Sequence, residues 1–358
     1  MTLDIVRHRL HNQFLSQTNC TSPAQVVEQL GAVQSQDYAG AKWALAQRLK
    51  DPATDAAIDK AFNEGKILRT HVMRPTWHFV APRDIRWLLM LTGPRVQAGN
   101  AFMYRKTELD KDILKKSYRV LEKALQGNRQ LTRAELGAAF EKAGIPAEGQ
   151  RLGYFMMSAE LDGLICSGGR KGKQFTYALL EERAPRVRPL KRDEALAELV
   201  RRYFTTRGPA TLHDFTWWSG LTMADAKKGI EMVKPEFVSE ELDGQSYWFA
   251  DSINPVREKS PTAHLLPNYD EYFIGFKDRS AIGKRVGPLR SEEDKLALYV
   301  HIIILDGQIV GGWRRTITKN AVILERQLLT DLTRSEERAL SREADRYSEF
   351  LQLPVEMM

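Results

Sequence analysis

Cysteine is scarce in this chain: Cys20 and Cys166, far apart in 358 residues, are the only two. That excludes a disulfide framework and a zinc site built from thiolates, and it fits a reducing compartment. Long apolar runs are missing as well. A membrane-spanning helix needs roughly eighteen such residues, whereas the longest stretches here, such as 299–305, are strand-sized. The first nine residues include Asp4, Arg7 and His8 and have neither the apolar stretch nor the cleavage site of a signal peptide, so a cytoplasmic protein is expected. No heptad run or dimerisation helix is visible, and a monomer is expected. Metal motifs are lacking: His8 and His11 share a helical face but have no acidic or cysteine partner nearby. The stretch Gly168-Gly169-Arg170-Lys171-Gly172-Lys173 resembles a phosphate loop, but its glycine spacing is one residue short. Gln174 also stands where Ser or Thr must hold magnesium. Neither a metal nor a cofactor is expected.

The composition that remains is 43% hydrophobic and 28% charged, ordinary for a globular protein, and the length predicts two or three units or an array of small ones. Lys and Arg number 53 against 46 Asp and Glu, a net charge of +7 that permits a polyanionic partner without requiring one. Distribution says more. Arg183, Arg186, Arg188, Lys191 and Arg192 cluster around two prolines, and Arg170, Lys171 and Lys173 sit among glycines in an expected turn.

A small pattern repeats along the chain: helix, turn, helix, then a strand pair around a polar turn. The middle copy is clearest. Thr132 and Glu135 form a capping-box sequence at the head of one helix, and residues 151–164 make a second with Leu152, Phe155, Met156 and Ala159 near one face. Residues 164–166 and 174–179 then flank the basic glycine turn as a hairpin. This order describes a winged helix-turn-helix. A third copy starts at Gly208-Pro209 and closes with a hairpin, residues 237–249, around Asp243-Gly244; its turn is acidic. The first copy is looser, with helices over 3–17 and 22–34 and a strand over 73–80. From residue 263 the texture changes to strands (264–266, 299–305, 308–318 and 321–326) and a closing helix over 335–351. The fold class expected is mainly α with β: tandem winged helices at 1–108, 109–185 and 186–258, then a small β-barrel-like unit at 259–358.

Gln34-Ser35-Gln36 follows the apolar stretch 26–33. Two carboxamides two residues apart supply neither a strong base nor a metal site, but together they donate and accept hydrogen bonds and can hold one water molecule. Two readings stand here: a polar helix end capped by Asp37 and Gly40, or a water-holding pair suited to a reaction whose leaving group is already activated.

Several stretches carry a resemblance to a known family: Gln34-Ser35-Gln36, residues 70–78 (THVMRPTWH), residues 207–211 (RGPAT) and residues 265–272 (LLPNYDEY). On these, the chain resembles the winged-helix DNA glycosylases of the AlkZ/YcaQ type, in their double-glutamine branch, over nearly its whole length. The resemblance implies three winged helices before a C-terminal β-barrel, and it maps the candidate catalytic pair onto Gln34 and Gln36. The activity implied is hydrolysis of the N-glycosidic bond of alkylated purines in double-stranded DNA, with bulky adducts or interstrand crosslinks in range. N7- or N3-alkylation makes the base a cation, so placing water against C1′ suffices and no metal or covalent lysine is needed.

Around that pair, Arg74 is the expected phosphate contact, and Arg170, Lys171 and Lys173 the expected DNA-binding tip. Asp37 is either an electrostatic partner of the sugar cation or a helix cap. Thr70, His71 and His78 face the channel or stay structural, and Tyr269 and Asp270 brace it. Trp217-Trp218 suggests a stacking platform, although paired tryptophans more often fill a core. A non-catalytic winged-helix DNA-binding protein or regulator shares this fold and charge. A small-molecule binder lined by the aromatics of 269–276 is the third class.

Overall fold

The computed structural model describes residues 3–250, 260–288 and 301–358. The N-terminal segment holds helices α1 (Ile5–Asn12), α2 (Pro23–Leu30), α3 (Tyr38–Ala46) and α4 (Asp55–Asn63), with strands β1 (Val33–Gln34), β2 (Leu68–Val72) and β3 (Arg74–Val80). The strands form an antiparallel sheet ordered β1-β3-β2. The expected helix over 22–34 stops early: Gly31, at φ 78°, ends it after Leu30, and the glutamine pair begins on a strand rather than on a helix end. Asp37 caps the helix that follows, its carboxylate accepting from the Gly40 amide at 3.1 Å. A one-residue turn joins β2 to β3, with Met73 in the left-handed region at φ 63° and a bulge at His71/Val72. Its carbonyl lies against Gly220, where an added Cβ would come within 2.3 Å; only glycine fits there, and its φ of 71° suits glycine too.

Both faces of this sheet are buried, as the alternation on β3 requires. Val80, with Leu68 and Val72 of β2, enters a core built on α5 (Ile85–Gly99) and on helices further along the chain. Phe79 and its register partner Val33 enter another, shared with the C-terminal strands and last helix.

After α6 (Ala101–Lys106), the middle stretch closes a core of its own. Helices α7 (Lys111–Leu125), α8 (Arg133–Lys142) and α9 (Gly149–Leu161) pack against strands β4 (Leu131–Thr132), β5 (Ile165–Ser167) and β6 (Thr176–Leu179), ordered β4-β6-β5. The capping box of Thr132 and Glu135 is formed. A short α10 (Leu180–Arg183) leads to α11 (Arg192–Arg207), α12 (Leu212–Ser219) and α13 (Met223–Val233), the last two each opened by a Thr/Asp capping box. The hairpin of β7 (Val238–Leu242) and β8 (Gln245–Phe249) turns at Asp243 and Gly244, both at positive φ, the geometry that matches strand twist.

The C-terminal strands β9 (Ala263–Leu266), β10 (His301–Leu305), β11 (Gln308–Ile317), β12 (Val322–Leu328) and β13 (Val355–Met357) make a five-stranded sheet that curls into half a barrel. The strand expected at 299–305 is described from His301 onward, residues 299 and 300 lying outside the described residues. The expectations did not include β13, which pairs parallel to β12. A short helix, α14 (Glu271–Ile274), follows β9, and α15 (Arg334–Leu351) covers the sheet, with Tyr347 and Phe350 packed on Trp43 of α3. Overall the fold is mixed α and β. Among the described residues no helix is long and apolar enough to cross a membrane.

Candidate functional site

Gln34, His78 and Thr70 stand side by side across β1, β3 and β2 in register, so their side chains leave one face of the sheet together. Gln34 is held at both ends. Its backbone N–H donates to Glu271 Oε1 at 2.9 Å, and its side-chain Oε1 accepts from Arg74 Nη2 at 2.7 Å. A guanidinium only donates, so this contact fixes which end of the carboxamide is oxygen. Gln36, two residues on and exposed, is oriented the same way, its Oε1 accepting the Trp77 backbone N–H at 3.3 Å. Neither Nε2 has a protein partner among the described residues, and each carbonyl oxygen keeps a second lone pair. Between them, Ser35 is buried, its N–H bonded to the Trp77 carbonyl and its own carbonyl accepting twice from Arg69.

Glu271 is the hub beneath the pair. Its other oxygen accepts from Arg207 Nη2 at 2.7 Å and from the Trp218 indole N–H at 2.8 Å, and both charged side chains are buried. Arg207 also donates to the carbonyls of Leu30 and Ala32, the two residues flanking the glycine that ends α2, and lies 4.2 Å from the centroid of the Trp218 ring. A buried carboxylate with three donors and a buried guanidinium with several acceptors are the conditions under which both charges survive burial. Neither Glu271 nor Arg207 was singled out from the sequence, although both lie inside motif stretches. Their signal is a charge of each sign embedded among turn and apolar residues.

The remaining expected residues fall into distinct environments. Arg74 is half-buried and engaged with Gln34 and with the Trp217 carbonyl, at 3.4 Å; burial lowers its pKa, Glu271 opposing and Arg207 and Arg279 adding to the effect. Asp37 meets Arg315 at 3.3 Å besides capping α3. Thr70 is buried with its hydroxyl unpartnered. His78 is fully buried, and desolvation, reinforced by Arg74, holds its pKa well below the usual value. Its Nδ1 lies 3.0 Å from the Thr76 carbonyl, so the neutral ring carries its proton there and leaves Nε2 as a bare acceptor. His71 lies on the opposite face, its Nδ1 hydrogen-bonded to the carboxylate of buried Glu160 and its ring tilted on Trp77 at 4.4 Å between centroids. Asp270 forms a two-pronged buried pair with Arg48, at 2.8 and 2.9 Å, and caps α14. Tyr269, at φ 65°, turns the chain into that cap.

The basic tip docks on its own protein. Arg170 reaches Asp59 at 3.5 Å and lies over the rings of Tyr38 and Phe175. Lys171 pairs with Glu135 at 2.9 Å, while Lys173 is exposed and its ammonium has no partner among the described residues, although its carbonyl accepts from Arg170 at 3.1 Å. Beside the tip a cavity of about 790 Å³ opens, lined by Arg69, Trp77, Arg133, Lys173, Phe175 and Tyr177 among others. It thus reaches Trp77, whose backbone orients Gln36. The tryptophan pair divides: Trp218 is core, and Trp217 is 45% exposed. Among the described residues no group of three or more His, Cys, Asp or Glu side chains is placed to hold a metal ion.

Comparison with known proteins adds three findings. Residues 27–350 match the family described as DNA glycosylase AlkZ-like. The chain is 23% identical over 330 residues to an interstrand DNA cross-link repair glycosylase of Streptomyces sahachiroi, covering 85% of each protein. Its fold is similar to the solved structure of the Streptomyces sahachiroi DNA glycosylase AlkZ, with a TM-score of 0.76, 20% identity, and coverage of 99% of this chain and 98% of that one.

Proposed function

This chain belongs to the AlkZ-like DNA glycosylase family, and from that membership we propose that it hydrolyses the N-glycosidic bond of cationic N7- or N3-alkylpurines in double-stranded DNA. Bulky adducts and interstrand crosslinks fall within the proposed range: the similar Streptomyces sahachiroi protein is an interstrand DNA cross-link repair glycosylase, and Gln34 lies on the edge strand β1 with Gln36 exposed beyond it. The observation that carries the reading is the pair of carboxamides whose oxygens are both fixed by donor-only groups, leaving two amide nitrogens and two lone pairs for one water.

In the proposed reaction the bond from C1′ to the purine breaks with its electron pair moving to the base, which cancels the alkylpurine's positive charge. Water held by Gln34 and Gln36 adds its oxygen to the oxocarbenium-like C1′ and releases a proton to solvent. The products are neutral alkylpurine and an abasic site. Glutamines serve here because the leaving group needs no protonation; what the protein supplies is position. Asp37, tied to Arg315 and to the head of α3, fits a cap better than an electrostatic partner of the sugar.

We further propose that residues 109–185 and 186–258 are winged helices, that residues 1–108 form a third and looser one, and that residues 259–358 form the barrel-like unit. The middle stretch supports this with its own core and its helix, helix, hairpin order. Lys171 and Lys173 would then be wing residues facing DNA, with Arg170 anchoring the wing.

The test is incubation with duplex DNA bearing N7-methylguanine, scored for released base and alkali-labile sites. Base release that falls roughly 100-fold or more in Gln34→Ala and Gln36→Ala, with DNA affinity unchanged, is the expected result. An equal loss of binding in those variants, or no release alongside tight salt-sensitive binding to undamaged DNA, would replace this reading with that of a non-catalytic DNA-binding protein.

A further inference from the structure

Trp217 is a large aromatic side chain left 45% exposed next to the candidate site. It is also rigid. Its indole N–H donates to the Ile274 carbonyl at 3.1 Å, on the helix α14 that begins with Glu271. Its backbone carbonyl accepts from Arg74 Nη1 at 3.4 Å while Nη2 of the same guanidinium holds Gln34 at 2.7 Å. One arginine therefore spans the distance from Trp217 to the glutamine. A second, Arg279, lies 5.8 Å from the indole centroid and is itself fixed by the Phe273 carbonyl at 2.9 Å. Core packing explains Trp218, which is fully buried, but it does not explain an indole pinned in place with nearly half its surface in water.

We propose that Trp217 is a platform on which a nucleobase of the bound DNA stacks, positioning the strand against Gln34. The proposal deepens the glycosylase reading and rests on its assignment of Gln34 to the reacting end. A rigid indole offers a flat π face at little cost in side-chain entropy, and any base can stack on it. The flanking guanidiniums of Arg74 and Arg279 give this patch the positive charge that a phosphate-bearing strand requires. The occupant is thus a base in a polyanionic strand, not an apolar peptide.

The experiment compares the full-length protein with Trp217→Ala and Trp217→Phe, using duplex DNA with and without N7-methylguanine. Phe loses the indole N–H as Ala does but keeps a π face, so the two variants separate stacking from the bond to Ile274. Loss of base stacking weakens affinity roughly 5- to 150-fold, and that is the range expected for Ala. Phe should remain within a few-fold of the natural protein. Single-turnover excision should slow in Trp217→Ala and be largely kept in Trp217→Phe, because a base stacked on the ring is what positions the strand against Gln34. Tryptophan emission should be quenched by DNA in the natural protein, and that quench should shrink in Trp217→Phe. Full affinity in Trp217→Ala, or a Phe variant as weak as Ala, overturns the proposal. Because affinity and quenching are read without base release, a protein that stacks DNA but excises nothing would refute the glycosylase reading alone.

Discussion

Glu271→Gln tests the deepest contact beneath the glutamine pair. The buried carboxylate accepts from Arg207, Trp218 and the backbone of Gln34. A carboxamide of the same shape keeps one acceptor oxygen and turns an NH2 group toward donors, leaving the Arg207 charge without its partner. Breaking a buried ion pair from one side costs about 3–5 kcal/mol, and each buried donor left unsatisfied adds about 1–3 kcal/mol. A loss of about 4 kcal/mol or more is therefore expected, a large share of a typical total of about 5–15 kcal/mol. Urea unfolding measures it. The partner variant Arg207→Met removes the charge that Glu271 was neutralising, so the double variant should be less destabilised than the sum of the singles, by about 2 kcal/mol. Under conditions where the single variant stays folded, base release should fall at least tenfold, because the Gln34 backbone has lost its anchor. A Glu271→Gln loss under about 1 kcal/mol, with additive behaviour in the double variant and unchanged excision, would refute the claim that this pair sets the position of Gln34.

Further outcomes follow from the basic tip at 170–173 and from the buried His264 and Glu343. Lys173→Ala should lower the salt slope of DNA binding by about 0.9, the contribution of one phosphate contact. Lys171→Ala should lower it less, because its ammonium is already paired with Glu135. Arg170→Ala should chiefly loosen the docking on Asp59 and Tyr38, and equal slopes for Arg170→Ala and Lys173→Ala would contradict this division. Burial, with Arg346 and Arg48 nearby, lowers the pKa of His264 to about 3 despite Asp270. The unfolded chain then takes up a proton near pH 6.5 that the native chain refuses, so His264 contributes fully above that pH. Stability is lost as pH falls through it, by about 1.4 kcal/mol per unit. His264→Leu should flatten that acid limb in urea titrations at pH 7 and pH 5. Glu343 acts in the opposite sense: burial raises its carboxyl to about 7 despite Arg346, so its contribution is lost as pH rises from about 4.5 through 7. Glu343→Gln should remove that loss, and an unchanged acid limb in His264→Leu would assign the limb to other groups.

Local signals were legible in the sequence, and contacts between distant segments were not. The capping box at Thr132 and the turn at Asp243-Gly244 are written within a few residues and formed as expected. The glutamine pair was recognisable as an odd use of polar side chains, but its backbone was misread as helix. The apolar stretch 26–33 fits helical spacing, and the sequence does not reveal that Gly31 takes a positive φ and sends Val33 and Gln34 into a strand. Strand β2 had no readable alternation because it is buried on both faces, with Arg69 and His71 on one and Thr70 on the other. Glu271 lies 237 residues from Gln34 and 64 from Arg207. At such separations a charge in a motif signals only that a partner exists.

The placement of Gln34 is therefore a property of the assembled chain. Its backbone is anchored from the C-terminal unit by Glu271, which is neutralised by Arg207 at the end of α11, and its side chain is oriented by Arg74 across the sheet. No one of these segments can form the site alone, since the sheet's two faces enter cores built on different partners. The middle stretch differs, because it closes a core of its own and meets the sheet through Glu160 on His71, Ser167 on Arg69 and the Arg170 tip on α4. Substitutions in its core should thus perturb the groove beside Trp77 and the pose of bound DNA, while the bonds that fix Gln34 persist. Changes in α11, α12 or α14 act on the glutamine itself, which ties the chemistry proposed for it to the packing of the first, third and last segments.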